Sequence, residues 1–88
     1  MWNFEINNNG NTAEDLRARF VDVVSVCHML EDAVASLHGA VHGRNYQTLQ
    51  NGQELREKDL QTYQGMVEAT RKVRDLAIKG VIKAHKSL

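Results

Sequence analysis

Two groups of side chains in this sequence have the types and spacing that binding another molecule requires. The first is the segment His42-Gly43-Arg44-Asn45-Tyr46, in which an imidazole, a guanidinium, an amide and a phenol surround one glycine. An arginine can hold a phosphate or carboxylate through two parallel hydrogen bonds, and a tyrosine can stack on a base or fill a partner's pocket. The segment predicts a binding site formed by His42, Arg44, Asn45 and Tyr46.

The same segment also has a structural interpretation. Gly43 can end a helix, and the side chains of His42 and Arg44 can then satisfy the last carbonyl groups of that helix. Tyr46 would in that case close the end of a helical bundle. Residue types alone favour neither interpretation, so both stay open at this point.

The second group is Tyr63, Thr70, Arg71 and Arg74, which lie on or beside one line of a helix with 3.6 residues per turn. This line follows an apolar stripe, and a guanidinium there needs a partner because burying an unpaired charge costs free energy. The partner can be an acid of the preceding helix, where Glu31 is best placed, or an acid of another subunit. It can also be an anionic ligand, such as a cyclic nucleotide held between subunits.

The sequence lacks the usual motifs for catalysis. It has no glycine-rich phosphate loop and no serine or cysteine nucleophile motif. His38 and His42 stand four residues apart, as helical metal ligands can, but no acidic or cysteine third ligand accompanies them. Cys27 beside His28 has no evident acid to orient the imidazole. We therefore expect no enzyme activity, no metal and no cofactor.

A long first helix is predicted over residues 12–42. Thr12 can cap its start, with Asp15 three residues later as in a capping box, and Gly43 can end it. Its apolar residues repeat with alternating spacings of four and three, which indicates a heptad seam. The seam consists of Leu16, Phe20, Val23, Cys27, Leu30, Val34, Leu37 and Val41. The face is widened by Val24, Val26, Ala33 and Ala40.

A second helix is predicted over residues 53–85, after a connection at 43–52. The pair Asn51-Gly52 indicates a turn, and Asn51 can cap the helix with Glu54 reaching back. Asn45 is a competing cap. The apolar face of this helix is broad and less regular than the first. It contains Leu60, Tyr63, Met66, Val67, Val73, Ala77, Val81 and Ala84, flanked by Leu76, Ile78 and Ile82.

Residues 1–11 are predicted to form a short extended arm, in which Trp2, Phe4 and Ile6 alternate with polar residues. The arm can dock on the helices or pair with the arm of another subunit. The second possibility resembles ribbon-helix-helix DNA binders. We exclude that class because the outward face of the arm has no basic residue and the first helix is far too long.

The predicted fold is all-α: an antiparallel two-helix hairpin, residues 12–88, with the extended N-terminal arm. The chain has 88 residues and one cysteine, so no internal disulfide can support a thin core. Two helices cannot cover two wide apolar faces. We therefore expect a dimer or higher oligomer that forms a helical bundle.

The charges are divided unevenly along the chain. The net charge is zero, but residues 1–40 sum to −4 and residues 41–88 to +4. A neutral total makes binding to duplex DNA unfavourable. The asymmetry can guide antiparallel self-association, acidic half to basic half, or the charges can simply solvate the outer faces. We expect neither a signal peptide nor a membrane span, and a cytoplasmic location.

The segment His42-Gly43-Arg44-Asn45-Tyr46 at the end of a helix, followed by a polar helix, resembles small uncharacterised proteins of bacteriophages and prophages. The similar stretch runs over about residues 30–82, and its specific part is residues 42–46. The resemblance implies a phage origin and an accessory role. We expect a non-enzymatic protein in the cytoplasm of the infected bacterium that binds a host or defence protein. The alternative function is a sponge that sequesters an anionic cyclic nucleotide at subunit interfaces, and a structural role in the virion stays open.

Overall fold

The computed structural model describes residues 4–7 and 12–88, which form an antiparallel helical hairpin measuring 61 × 21 × 18 Å. Helix α1 is Ala13–Ser36 and helix α2 is Gly52–Lys86. Two short 3₁₀ helices, Leu37–Val41 and Gly43–Tyr46, lie between them. The prediction of an all-α hairpin is confirmed, and α2 begins and ends within one residue of the predicted bounds.

The start of α1 is fixed by the predicted cap. The Asp15 N–H donates to Thr12 Oγ1 over 3.1 Å, while Thr12 itself has an extended backbone. The second half of the expected capping box is replaced by another bond. The Asp15 carboxylate accepts from Arg19 Nε at 3.0 Å, one turn further along the helix. One hydroxyl thus supplies the cap.

Helix α1 ends earlier than the prediction of 12–42. Ser36 is its last residue, the backbone tightens into a 3₁₀ helix, and His42 is extended with ψ 138°. The carbonyl groups that would continue an α-helix are taken by side chains, as when Ser36 Oγ donates to Ala33 O over 2.6 Å. Gly43 is not the left-handed cap that was expected, since no described glycine has a positive φ.

A tight turn leads into α2. Asn51 is the N-cap residue by position, but it is left-handed (φ 60°) and its side chain does not cap the helix, contrary to the prediction. Glu54 instead pairs with Lys58 at 3.6 Å. The next residue must be glycine: a Cβ on Gly52 would collide with the carbonyl oxygen of Tyr46.

The hairpin core uses one heptad position from each helix. Helix α2 contributes Thr70, Ala77 and Ala84, and these residues are buried. They are small, and no large side chain among the described residues is fully buried. On the α1 side, Cys27, Val34 and Val41 are also buried at sevenfold spacing. The rest of the predicted seam faces outward, apart from Leu16 and the half-buried Phe20.

The described part of the arm lies against the helices. The rings of Phe4 and Phe20 meet edge to face, 5.2 Å apart at 89°. Phe20 in turn lies so close to α2 that a Cβ on Gly80 would come within 2.7 Å of its ring. Residues 4–7 have no regular secondary structure. The expectations for Trp2 and for residues 8–11 lie outside the described residues.

Candidate interaction surfaces

One broad side of the hairpin is apolar and exposed, and we call it the outer apolar face. Its α1 residues follow spacings of three and four, and one residue of the first 3₁₀ helix follows seven positions later. Its α2 residues follow spacings of seven and three, so each row stays on one side of its helix. The exposed fractions of these side chains run from 39% to 61%. The face consists of Val23, Val26 and Leu30 of α1, Leu37 of the first 3₁₀ helix, and Met66, Val73 and Leu76 of α2.

Two open grooves show that both helices contribute to this face. One groove of about 240 Å³ is lined by apolar side chains of the arm, α1 and α2. These are Phe4, Phe20, Val23, Val73, Leu76 and Ala77. The other groove, about 270 Å³, lies toward the tip and includes Leu37, Thr62 and Met66. Side chains of another helix can pack into these grooves.

Charged residues border the outer apolar face, and their sign differs between the helices. Asp22 lies one helical turn before Val26 on α1. Lys72 lies one turn before Leu76 on α2, and Lys79 lies three residues after it. Arg19 lies seven residues before Val26 on the same row and is paired with Asp15. By helical spacing the α1 border therefore carries a net negative charge, with Asp15 and Asp22 against Arg19, and Lys72 and Lys79 make the α2 border basic. The opposite charges of the two borders correspond to the opposite net charges of the two halves of the sequence.

At the tip of the hairpin, Asn45 and Arg56 hold the end of the first 3₁₀ helix. Asn45 Nδ2 donates to the carbonyl oxygens of Gly39 and Ala40, at 3.1 Å and 3.0 Å. Arg56 Nε donates to Val41 O at 2.8 Å. Three consecutive carbonyl groups are thereby satisfied by side chains. Asn45 caps the preceding element, whereas the sequence suggested it as a cap of the following helix.

The remaining tip residues divide into one structural pair and one exposed arginine. Tyr46 Oη donates to Asp59 Oδ2 at 2.7 Å, which raises the pKa of Tyr46; partial burial and the charge of Asp59 add to this effect. His42 Nδ1 accepts from the backbone N–H of Arg44 at 3.3 Å. The Arg44 residue is exposed. Of the four predicted tip residues, Arg44 is thus the one whose side chain takes part in none of these bonds.

On the opposite side of the hairpin, Arg74 pairs with Glu31 as one of the sequence alternatives predicted. Arg74 Nη1 lies 3.0 Å from Glu31 Oε1 and 2.8 Å from Oε2, and both side chains are 26% exposed. Arg74 Nη2 is also 3.5 Å from Asp75 Oδ1. The guanidinium therefore has two acids beside it, and its charge is compensated within the chain.

The other residues predicted on helix two line a groove of about 250 Å³ on this side. The groove brings Tyr63, Thr70 and Arg71 together. Glu31 and Asp32 line it as well, so carboxylates accompany the cation. Thr70 Oγ1 donates to the carbonyl of its own helix, Met66 O, at 2.9 Å. Arg71 is exposed, and the groove as a whole has no excess of positive charge.

Sequence reasoning missed two structural partners and one surface. Asp59 and Arg56 stabilise the tip, but they lie 13 and 15 residues from the groups they bond, and no local pattern connects them. A smaller apolar cluster, Val21, Ile78 and Ile82, is exposed near the open end, and helical spacing places it on the side away from the outer apolar face.

Within residues 4–7 and 12–88, no group of three or more histidine, cysteine, aspartate or glutamate side chains is arranged to hold a metal ion. None of the described helices is both long and apolar enough to cross a membrane. In comparisons with known proteins, no family model, no curated protein and no solved structure matches this chain.

Proposed function

We propose that this chain is a non-enzymatic phage accessory protein, a helical hairpin that assembles into a bundle and binds a protein of the infected host. The observation that carries the proposal is the outer apolar face, with seven large side chains at least 39% exposed. Contiguous apolar surfaces of this kind are typical of protein interaction sites. The resemblance of residues 42–46 to small phage proteins supports the phage setting.

The accessible surface area supports self-assembly. The chain exposes 6799 Å². A compact monomer of its mass, 10.0 kDa, is expected to expose about 5,200 Å². The excess is therefore roughly 1,600 Å², about twice the 800 Å² that each partner buries in a standard stable interface. Association through one face can remove such an excess.

The core of the hairpin leads to the same expectation. Its buried residues are mainly small, such as Ala77 and Ala84, and none of the large described side chains is fully buried. A core of this size gives little hydrophobic free energy to offset the entropy of ordering two helices. Covering the outer apolar face would add seven large side chains. Because these residues are 39–61% exposed, about half of the roughly 1.5–3 kcal/mol that full burial of each provides is still available.

Analytical ultracentrifugation of two matched variants tests the assembly. Leu30 is 49% exposed on the outer apolar face, and Ile82 is 48% exposed on the side away from it. We expect the parent to sediment as a dimer or larger species at micromolar concentration. Leu30→Asp should shift it toward monomer, whereas Ile82→Asp should leave it assembled. A parent that sediments as a stable 10 kDa monomer would refute the proposal.

Retention of a host protein tests the binding role. Immobilised parent protein should retain a specific protein from bacterial host lysate, and Arg44→Ala should lose it while keeping the same sedimentation and helix content. The exposed Arg44 is suited to this variant because its side chain is the one tip side chain not engaged in the tip bonds described above. Equal retention by the parent and by Arg44→Ala would show that Arg44 is not part of the binding surface.

The nucleotide sponge is a second candidate, carried by the groove that contains Tyr63 and Arg71. Its charges are unfavourable for an anion, because Arg74 is paired with Glu31 and Asp32 lines the same groove. We therefore expect no rise in melting temperature when cyclic nucleotides are added to the parent. A rise that disappears in Arg71→Ala would favour the sponge over the protein binder.

A further inference from the structure

We propose that the outer apolar face is occupied by a second copy of this chain, with both hairpin tips at the same end of the dimer. The inference rests on the proposed self-assembly and adds the partner and its orientation. Two copies related by a twofold axis parallel to the helices place α1 of each copy over α2 of the other. The same apolar rows then meet in both halves of the interface, as an isologous contact requires.

The border charges favour this orientation. Phe20 packs against Gly80, so Asp22 on α1 and Lys79 on α2 lie at nearly the same position along the long axis of the hairpin. When the tips are at the same end, residues at the same position along this axis lie opposite each other in the two copies. Asp22 of one copy then faces Lys79 of the other. The contact occurs twice because of the symmetry. Opposite charges across the border thus align in this arrangement.

The reverse orientation, with tips at opposite ends, is unfavourable at the same border. It stacks α1 on α1 and α2 on α2, so the basic border of α2 meets the same border of the other copy. The twofold axis would cross α2 between Met66 and Leu76, close to Lys72. Lys72 of one copy would then lie near Lys72 of the other copy. Like charges in close contact are destabilising.

The orientation has a direct consequence for the tips. Two copies of Arg44 project from one end of the dimer, separated by no more than the width of the bundle. A target with two suitable sites would then be bound twice by one dimer. The second contact is intramolecular, so the overall affinity can exceed that of a single tip without any new type of contact.

A distance measurement separates the two orientations. A nitroxide attached to Arg44→Cys reports the distance between the two tips by pulsed electron resonance, and the parent treated with the same reagent shows whether the buried Cys27 reacts. With helices packed 8–10 Å apart, tips together predict a distance below about 30 Å. Opposed tips predict about 50 Å, from a rise of 1.5 Å per residue over α2.

Charge reversal supplies an independent test by sedimentation at low salt. Asp22→Lys and Lys79→Asp should each weaken the dimer by roughly tenfold in Kd, and the double variant should recover most of the loss. A dimer with a long tip distance and no recovery would overturn the orientation but leave self-assembly intact. A monomeric parent would overturn the proposed function as well. A dimer broken by Ile82→Asp but not by Leu30→Asp would overturn the assignment of the face.

Discussion

Arg74 donates from Nη1 to both carboxylate oxygens of Glu31, at 2.8 Å and 3.0 Å, and so joins positions 43 residues apart in the chain. The pair lies between α1 and α2 on the side away from the outer apolar face. Because both side chains are 26% exposed, the bond is partly shielded from water and stronger than a surface ion pair. It helps to fix which side of each helix faces the other.

We expect Arg74→Met and Glu31→Gln each to lower the free energy of unfolding by about 1–2 kcal/mol, since each removes the ion pair between two partly buried groups. The double variant should lose less than the sum of the two. Urea unfolding of the four proteins measures the coupling. Arg71→Met, at an exposed site on the same helix, is the control and should change stability by less than about 0.5 kcal/mol. Additive losses would mean that the pair contributes nothing.

Gly80→Ala should lower the free energy of unfolding by about 1–3 kcal/mol, because the new methyl group would lie 2.7 Å from the Phe20 ring and force the helices apart. Gly65 is the matched control in the same helix. A Cβ there has no neighbour within 4 Å, so Gly65→Ala should raise stability by about 0.5–1 kcal/mol through helix propensity. Thermal unfolding followed by circular dichroism compares the two, and equal changes would contradict the close packing.

The tip should make stability depend on pH in the alkaline range. The pKa of Tyr46 is raised above 10.0 chiefly because its phenol donates to Asp59. A raised pKa in the folded state means that this stabilisation is complete below pH 10 and is lost as pH rises through the folded-state pKa. Tyr46→Phe should therefore reduce the decline in stability between about pH 9 and 12. Asp59→Ala should do the same, and an unchanged decline in both would exclude the bond as its cause.

The tip residues Asn45 and Arg44 should behave differently on truncation. Asn45→Ala removes two hydrogen bonds to the end of the 3₁₀ helix and should cost about 1 kcal/mol, as solvated bonds of this kind do. Arg44→Ala removes an exposed side chain and should change the free energy of unfolding by less than about 0.5 kcal/mol. The melting temperatures measure both. A large loss in Arg44→Ala would make that residue structural and unsuitable as a binding test.

The elements that follow from local periodicity could be predicted from the sequence. Both helices and the hairpin are visible in the apolar spacing. The cost of an unpaired charge near an apolar stripe predicts that Arg74 has a partner, with Glu31 as one of the alternatives. The end of α1 could not be predicted in this way. It depends on Asn45 and Arg56, whose side chains reach back to carbonyl groups 5 to 15 residues away.

Spacing alone also cannot determine which residues of the heptad seam are buried and which are exposed. Cys27 and Leu30 are both seam residues, yet the first is 4% exposed and the second 49%. Which of them is buried depends on where α2 crosses, and that in turn depends on small residues such as Thr70 and Ala77. The sequence therefore identifies an apolar face but not the part of it that the hairpin leaves uncovered.

The sulfur of Cys27, near the midpoint of α1, is an internal probe of how often the two helices separate. A thiol reagent can reach this atom only when the two helices separate, so its reaction rate reports the frequency of opening. In an assembly whose subunits must part before the helices open, the rate falls as protein concentration rises. In a hairpin that opens by itself, dilution leaves the rate unchanged.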